Sequence, residues 1–394
     1  MSDNGVYIVS AVRTPIGSFI GQFAGTPAHE LGSVVIREAV ARARVAPGDV
    51  SEVIMGQALT AGQGQNPARN ASISAGLPVS VPAHGVSMLC GSGLKAVASG
   101  YQAIRCGDAA VVVVGGQESM TRAPHAALLR TGIKAGEVGL KDTMMHDGLT
   151  DVFHDIHMGI TVENLCAKCG VTREQSDGEV VESQARVQRA IKAGFFAAEI
   201  VPVPVKGRDG QVTLVSDDEF PQKNTTLEGL SKLQPRFKPG GTVTAGNASG
   251  INDGAAALVL MSGAEVARRK ATVLARIVAH ATAGCEPDLM AYGPVPAVEA
   301  LLKKTGWSRE DVDLWELNEA YGGSTVAVNQ CLKLDDAKVN VLGGAVALGH
   351  PIGASGARVL VTLVHALTRT GGKRGICSLC IGGGMGIAMA VECV

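Results

Sequence analysis

The feature that most restricts what this chain can fold into is that its order of strands and helices occurs twice. From the amino end, the residues read as a strand at Val6 to Ser10, an amphipathic helix around Glu30 to Val45, a strand near Val50 to Met55 and a helix around Pro67 to Ala75. After Pro78 and Pro82 come a short strand at Val86 to Leu89, a helix opening at Gly91 and running to Cys106, and the apolar strand Ala109 to Val114. The last third repeats the order: strand Val273 to Ala279, helix Val295 to Thr305, strand Val312 to Leu317, helix Gly323 to Leu332, strand Val339 to Leu342, then a helix after His350 and a strand. Such alternation predicts a largely parallel sheet with helices packed on it.

Two landmarks align the halves. Asp49-Val50 precedes Cys90 by about 41 residues, and Asp311-Val312 precedes His350 by about 39. Cys90-Gly91-Ser92-Gly93 then takes the place of His350-Pro351-Ile352-Gly353, each at the amino end of a helix. If the halves pack about a pseudo-twofold axis, both helix ends face one central site where their dipoles favour anions. The plainer alternative is the loose similarity that any two β/α halves share. Between them, Thr121 to Gly250 breaks the alternation with a polar segment rich in Gly, His, Lys and Asp and a helix at about Gln175 to Ala193. The expected division is 1–120 with 251–271, an inserted loop domain at 121–250, and 272–394.

Charge and cysteine usage exclude several classes of function. The 35 Lys and Arg nearly cancel the 36 Asp and Glu, so no global pull toward nucleic acid or an anionic membrane exists. No apolar run approaches the roughly 18 residues of a membrane span, and Met1-Ser2-Asp3-Asn4 leads straight into a strand with no signal or transit pattern. The nine cysteines are odd in number and scattered, which points to reduced thiols in a cytoplasmic setting.

Four segments carry chemistry. Cys90 sits at a strand-to-helix junction between small residues, where a helix amino end lowers a thiol pKa and leaves room for a bulky thioester; a buried small hydrophobe is the bland reading. His350 lies in a Gly/Pro-framed turn, placed to take a thiol proton or, alternatively, satisfied by backbone carbonyls. Cys380 precedes Gly382-Gly383-Gly384, whose amides can face a cavity. Asn318 follows the strand Val312 to Leu317, either holding a water or capping the next helix. Two CxxC pairs, Cys166/Cys169 and Cys377/Cys380, raise a four-cysteine zinc site, against which stand the roughly 200 residues between them; no metal site is expected.

Together, Cys-Gly-Ser-Gly at 90–93, Asn-Glu-Ala at 318–320, Gly-His-Pro at 349–351 and Cys-x-Gly-Gly-Gly at 380–384 resemble the pattern of the thiolase family. The resemblance runs from Arg13-Thr14-Pro15-Ile16-Gly17 through Gly115 to Met120 and Gly246 to Gly250 to the final glycines, and is nearest to the family's cytosolic, acetyl-transferring branch. It implies duplicated βαβαβαβ halves in a five-layered αβαβα core. It further implies a reversible Claisen condensation of two acetyl-CoA to acetoacetyl-CoA and CoA, with no cofactor beyond CoA as substrate and product, in a homotetramer of paired dimers.

The resemblance assigns Cys90 as nucleophile, His350 as its base, Cys380 as the acid/base at the α-carbon and Asn318 as holder of a water, and pairs the N–H groups of Cys90 and Gly382 as an oxyanion hole. His157-Met158-Gly159 marks the short-chain subgroup, with Met158 closing the acyl pocket. The implied CoA contacts are Leu149, His157, Leu233, Phe237, Ala245 and Ser249, with Lys223, Ala320, Tyr321 and Ile352 also in the binding set; Gln222 stands where relatives carry Arg, and Tyr321 where they carry Phe. Thr121 to Met145 suits either a dimer-to-dimer contact or a lid hinge. Competing readings are another condensing enzyme, a thioesterase that hydrolyses acyl-Cys90, and a lipid carrier on the same scaffold.

Overall fold

The computed structural model describes residues 5–207 and 209–394, so the Met1 to Asn4 lead lies outside the described residues. Nine strands form the path of one sheet: β1 (Val6–Arg13), β2 (Glu52–Gly56), β3 (Ala83–Val86), β4 (Val111–Ser119), β5 (Asn252–Ser262), β6 (Ala275–Gly284), β7 (Leu314–Leu317), β8 (Arg374–Ile381) and β9 (Met385–Glu392). Their order is β7-β8-β9-β6-β1-β5-β4-β2-β3, and the two-residue strand Gly17–Ser18 pairs with β5 off this path. The helices are α1 (Ala28–Arg42), α2 (Pro67–Ser74), α3 (Ser92–Cys106), α4 (Met158–Cys169), α5 (Arg173–Lys192), α6 (Leu227–Ser231), α7 (Gly263–Arg269), α8 (Pro294–Thr305), α9 (Gly322–Leu332), α10 (Ala345–Leu348) and α11 (Ile352–Thr370).

The duplication is visible in the pairing. In the first half β2 runs parallel to β3 and β4, while β4/β5 and β5/β1 are antiparallel. In the second, β7 runs parallel to β8, while β8/β9 and β9/β6 are antiparallel. The halves join where β1 and β6 meet antiparallel, Tyr7 opposite Arg276. The sheet is therefore mixed and not largely parallel, because β5 and β9 each return beside the strand that precedes them. Another difference is that Val339 to Leu342 forms no strand: Val339 makes a single parallel bridge to Trp315, occupying the place that β3 fills in the first half.

Period-two patterning explains the five layers. In β4, Val112 and Val114 face α3 and α11, while Val111 and Val113 face α1 and α2. In the second half, Leu379 and Ile381 of β8 join that same central helix layer, and Ile376 packs against α8 with Val298 and Leu301. Helices α3 and α11 thus lie between two sheet faces. The strand β4 ends at Ser119 and β5 begins at Asn252, so the long polar segment occupies the position that three glycines, Gly382 to Gly384, fill between β8 and β9.

Arg13 fastens that segment to the core. Its buried guanidinium donates through Nε to Glu199 Oε1 at 2.6 Å and through Nη1 and Nη2 to Asp218 at 2.7 and 2.9 Å. Thr362 Oγ1 of α11 donates to the same Glu199 oxygen at 3.2 Å. Removing one member of a buried ion pair leaves the other charged and dry. Arg13→Met is expected to lower the free energy of urea unfolding by about 3–5 kcal/mol; a loss below about 1 kcal/mol would show that the network carries no such load.

Candidate active site

The nucleophile candidate sits on a bent backbone. Leu89 adopts φ +46° although it has a side chain, a conformation that costs an L-residue about 1–2 kcal/mol. Ser92 holds the bend, its Oγ accepting from Met88 N at 2.8 Å and donating to Leu89 O at 2.7 Å. The result places Cys90 in a single 3-10 turn, Leu89–Gly91, immediately before α3. Its sulfur is reached by its own N–H and by that of Gly382, yet burial, with the charge of Glu118 added, pushes the thiol up to about 12. The expected lowering by the helix end does not prevail, because the loss of hydration outweighs two amide dipoles.

His350 is fixed from several sides. Its N–H donates to Asn252 Oδ1 at 2.8 Å, and Gly349 before it has φ +107°, with no room for a Cβ against Asn252 and Ile16. Ser355 Oγ, 2.6 Å from His350 Nδ1, donates its own proton to Pro351 O at 2.9 Å. The Ser355 contact suits a hydrogen on Nδ1, which makes Nε2 the basic nitrogen. Burial, aided by the nearby Arg358 cation, lowers the imidazole pKa to about 3.

Arg358 also supports Asn318. It donates to Glu316 Oε1 at 2.9 Å and lies 3.5 Å from Asn318 Oδ1, while Asn318 Nδ2 is 3.4 Å from His350 Nδ1. Asn318 does not cap α9, whose N-cap is Tyr321, so the capping alternative falls. Its neighbour Glu319 accepts from Ser183 of α5, Asn340 and the Val346 N–H, binding the inserted segment to the second half.

Cys90, His350, Cys380 and Gly382 line one cavity of about 380 Å³. Burial, reinforced by the neighbouring Cys90, raises the pKa of Cys380 as well. Of the other residues picked out in the sequence, Leu149, His157, Met158, Phe237, Ser249, Ala320, Tyr321 and Ile352 share this lining. His157 caps α4 by accepting from Gly159 N at 3.0 Å, and its ring stacks on Phe237 with centroids 4.4 Å apart. Burial lowers its pKa, which favours the neutral ring.

Four assigned residues stand elsewhere. Asn318 shares with Cys380 a separate hollow of about 10 Å³. Ala245 and Leu233 are exposed and outside the lining, with Leu233 packed beside Gly246. Lys223 lines a different cavity of about 710 Å³ with Asp217 and Asp218, and Gln222 N before it donates to the buried Gln184 Oε1 of α5. No group of three or more His, Cys, Asp or Glu side chains among the described residues is arranged to hold a metal, and Cys169 meets Cys331 rather than Cys377 or Cys380.

The lining also contains Met120, Met145, Arg236, Ala248, Ile251 and Met290, which the sequence reading missed. Met120 and Ile251 had a signal: they flank the ends of β4 and β5, which correspond to the glycine turn after Cys380. Met290 lies in a 3-10 turn, Pro287–Tyr292, with no periodicity to mark it.

Comparison with known proteins agrees with this geometry. Residues 6–264 match the thiolase N-terminal domain and residues 271–393 the thiolase C-terminal domain. The chain is 55% identical over 389 residues to the cytosolic acetyl-CoA acetyltransferase of Mus musculus, covering 98% of each. A crystal structure of the Bacillus anthracis acetyl-CoA acetyltransferase superposes with a TM-score of 0.97 at 42% identity, covering 99% of each chain. Human mitochondrial 3-ketoacyl-CoA thiolase in complex with CoA gives 0.95 at 41%, covering 99% of this chain and 98% of that one. The chain belongs to the thiolase family.

Proposed function

We propose that this protein is an acetyl-CoA C-acetyltransferase that joins two acetyl-CoA molecules into acetoacetyl-CoA and free CoA, and runs the thiolysis in reverse. The observation that carries this reading is the convergence of two thiols, a histidine and the Gly382 amide on one cavity. The relatives' names support the acetyl unit and the CoA carrier.

In the proposed sequence, Cys90 passes its proton to His350 Nε2 as its sulfur attacks the thioester carbonyl. Cys380 gives its proton to the departing CoA sulfur and takes one back from the α-carbon of the second acetyl-CoA. The resulting carbanion attacks the acetyl carbonyl on Cys90, and the freed Cys90 sulfur recovers its proton from His350. Protons balance over the cycle, so no further cofactor is required. Negative oxygen at Cys90 would be met by the N–H groups of Cys90 and Gly382, and at the other thioester by His350 with a water on Asn318.

Met158 and Met290, both buried, would close the acyl end against longer chains. His157, Phe237, Leu149 and Ser249 would line the pantetheine arm, with Arg236 as a cation and Leu233 and Ala245 further out for the nucleotide; Lys223 has no place in this set. The halves 1–120 with 251–271 and 272–394 would supply the chemistry, and 121–250 the CoA contacts. Exposed Leu128, Leu129 and Leu140 support self-association as a homotetramer. The free cysteines and the cytosolic relative support a cytoplasmic setting.

Two outcomes test this. With Cys90 up at about 12 and His350 down at about 3, the resting pair is neutral, and its thiolate fraction grows tenfold per pH unit through the neutral range. Alkylation of Cys90 by iodoacetamide should therefore climb without a plateau from pH 6 to pH 10; a plateau reached below pH 8 would mean a preformed ion pair. Labelled acetyl-CoA should acetylate the protein, Cys90→Ala should abolish the label, and Cys380→Ala should keep it while losing at least ~10³-fold in condensation. Loss of acetoacetyl-CoA without added CoA would instead favour the thioesterase.

A further inference from the structure

The nine thiols are not equivalent outside the active site. Cys166 is buried, and Cys285 contacts Leu289 O at 3.8 Å. Cys169 and Cys331, by contrast, stand with their sulfurs 3.8 Å apart, the only thiol-to-thiol hydrogen bond among the described residues, and both are partly exposed. They come from segments 162 residues apart in sequence. Neither belongs to the cavity lining.

Their positions in the fold are informative. Cys169 is the last residue of α4, followed by Gly170 in the left-handed region at φ 70°. Cys331 is the penultimate residue of α9, whose C-cap Lys333 is left-handed at φ 51°. Helix ends tolerate small adjustments, and bringing the sulfurs to the ~2.05 Å of a disulfide needs each to move by under ~1 Å. At the opposite ends of the same two helices stand His157 and Met158, and Tyr321, all in the cavity wall. α4 and α9 pack directly on each other.

We propose that Cys169 and Cys331 are an oxidative modification site, closed to a reversible disulfide by peroxides, which ties α4 to α9 behind the cavity. One thiolate attacks the peroxide O–O bond, giving a sulfenic acid and releasing water from hydrogen peroxide. The second sulfur then displaces the sulfenic oxygen as another water. Two thiols and one hydrogen peroxide thus give one disulfide and two waters, and a dithiol reductant reverses the step. Burial, with the neighbouring Cys169 thiol added, pushes Cys331 up to about 11, while Lys168 acts in the other direction.

The test uses the full-length protein treated with hydrogen peroxide at pH 8.5, digested without reductant and analysed by mass spectrometry. A peptide pair linked through Cys169 and Cys331 is expected. Dithiothreitol should remove it, and it should be absent from Cys169→Ser and Cys331→Ser. The oxidised protein should melt about 5 °C higher, with amide exchange slowed in α4 and α9; the treated Cys331→Ser variant should show neither change. Recovery of Cys169 or Cys331 as free thiols, as singly overoxidised residues or linked to Cys285 would overturn the proposal, as would a linked pair with unchanged melting and exchange. Because the readout is covalent linkage and not turnover, its failure is separate from any failure of the proposed acetyl transfer.

Discussion

The site depends on how closely two helices approach. α3 follows Cys90 and α11 follows His350, and their backbones meet through glycines. A Cβ on Gly93 would stand 2.7 Å from Ala357 N, one on Gly356 2.3 Å from Leu94 N, and one on Gly116 of β4 2.3 Å from Gly353 O. No side chain separates these surfaces. Since each helix begins beside a reactive residue, the contact brings thiol and imidazole to one cavity from points 260 residues apart in sequence, the difference between 350 and 90. The pseudo-twofold pairing of β1 with β6 supplies the frame, and the glycines set the spacing within it.

Electrostatics follow from the same packing. Burial raises both thiols and lowers the imidazole, which favours the uncharged form of all three. Charge is created only as a proton moves, in a place where the Cys90 and Gly382 amides already point. Glu118 ties the region together: it accepts from Ala58, Leu59 and Gly353 at 3.0, 3.3 and 2.9 Å, joining the end of β4 to the loop after β2 and to the start of α11. Burial pushes its own pKa up to about 8, the three amides pulling in the other direction.

Much of this was legible in the sequence because the signals were local. The alternation of elements, the glycine-framed Cys90 and His350, and the similar spacing of the halves each rest on neighbours in the chain. The mixed strand directions were not legible, since they depend on where β5 and β9 return after a long insertion in one case and a three-glycine turn in the other. The elevated Cys90 pKa was missed because a helix end is visible in sequence and desolvation is not. Arg358 also escaped notice: in sequence it is one cation in an apolar helix, and only folding sets it between Glu316, Asn318 and His350. Lys223 lines another cavity, and the hydrogen bond from Gln222 to α5 beside it is invisible in the chain order.

The measurement that most directly tests the claim that helix contact places the nucleophile is the single-turnover burst of CoA release from acetyl-CoA in a Gly93→Ala variant that keeps its near-ultraviolet circular dichroism. A displacement on the order of 1 Å between reacting groups costs about 10²-fold in rate, so the burst should slow by about that factor while the cavity residues remain unchanged. A folded Gly93→Ala protein that acetylates Cys90 at the unmodified rate would contradict the account.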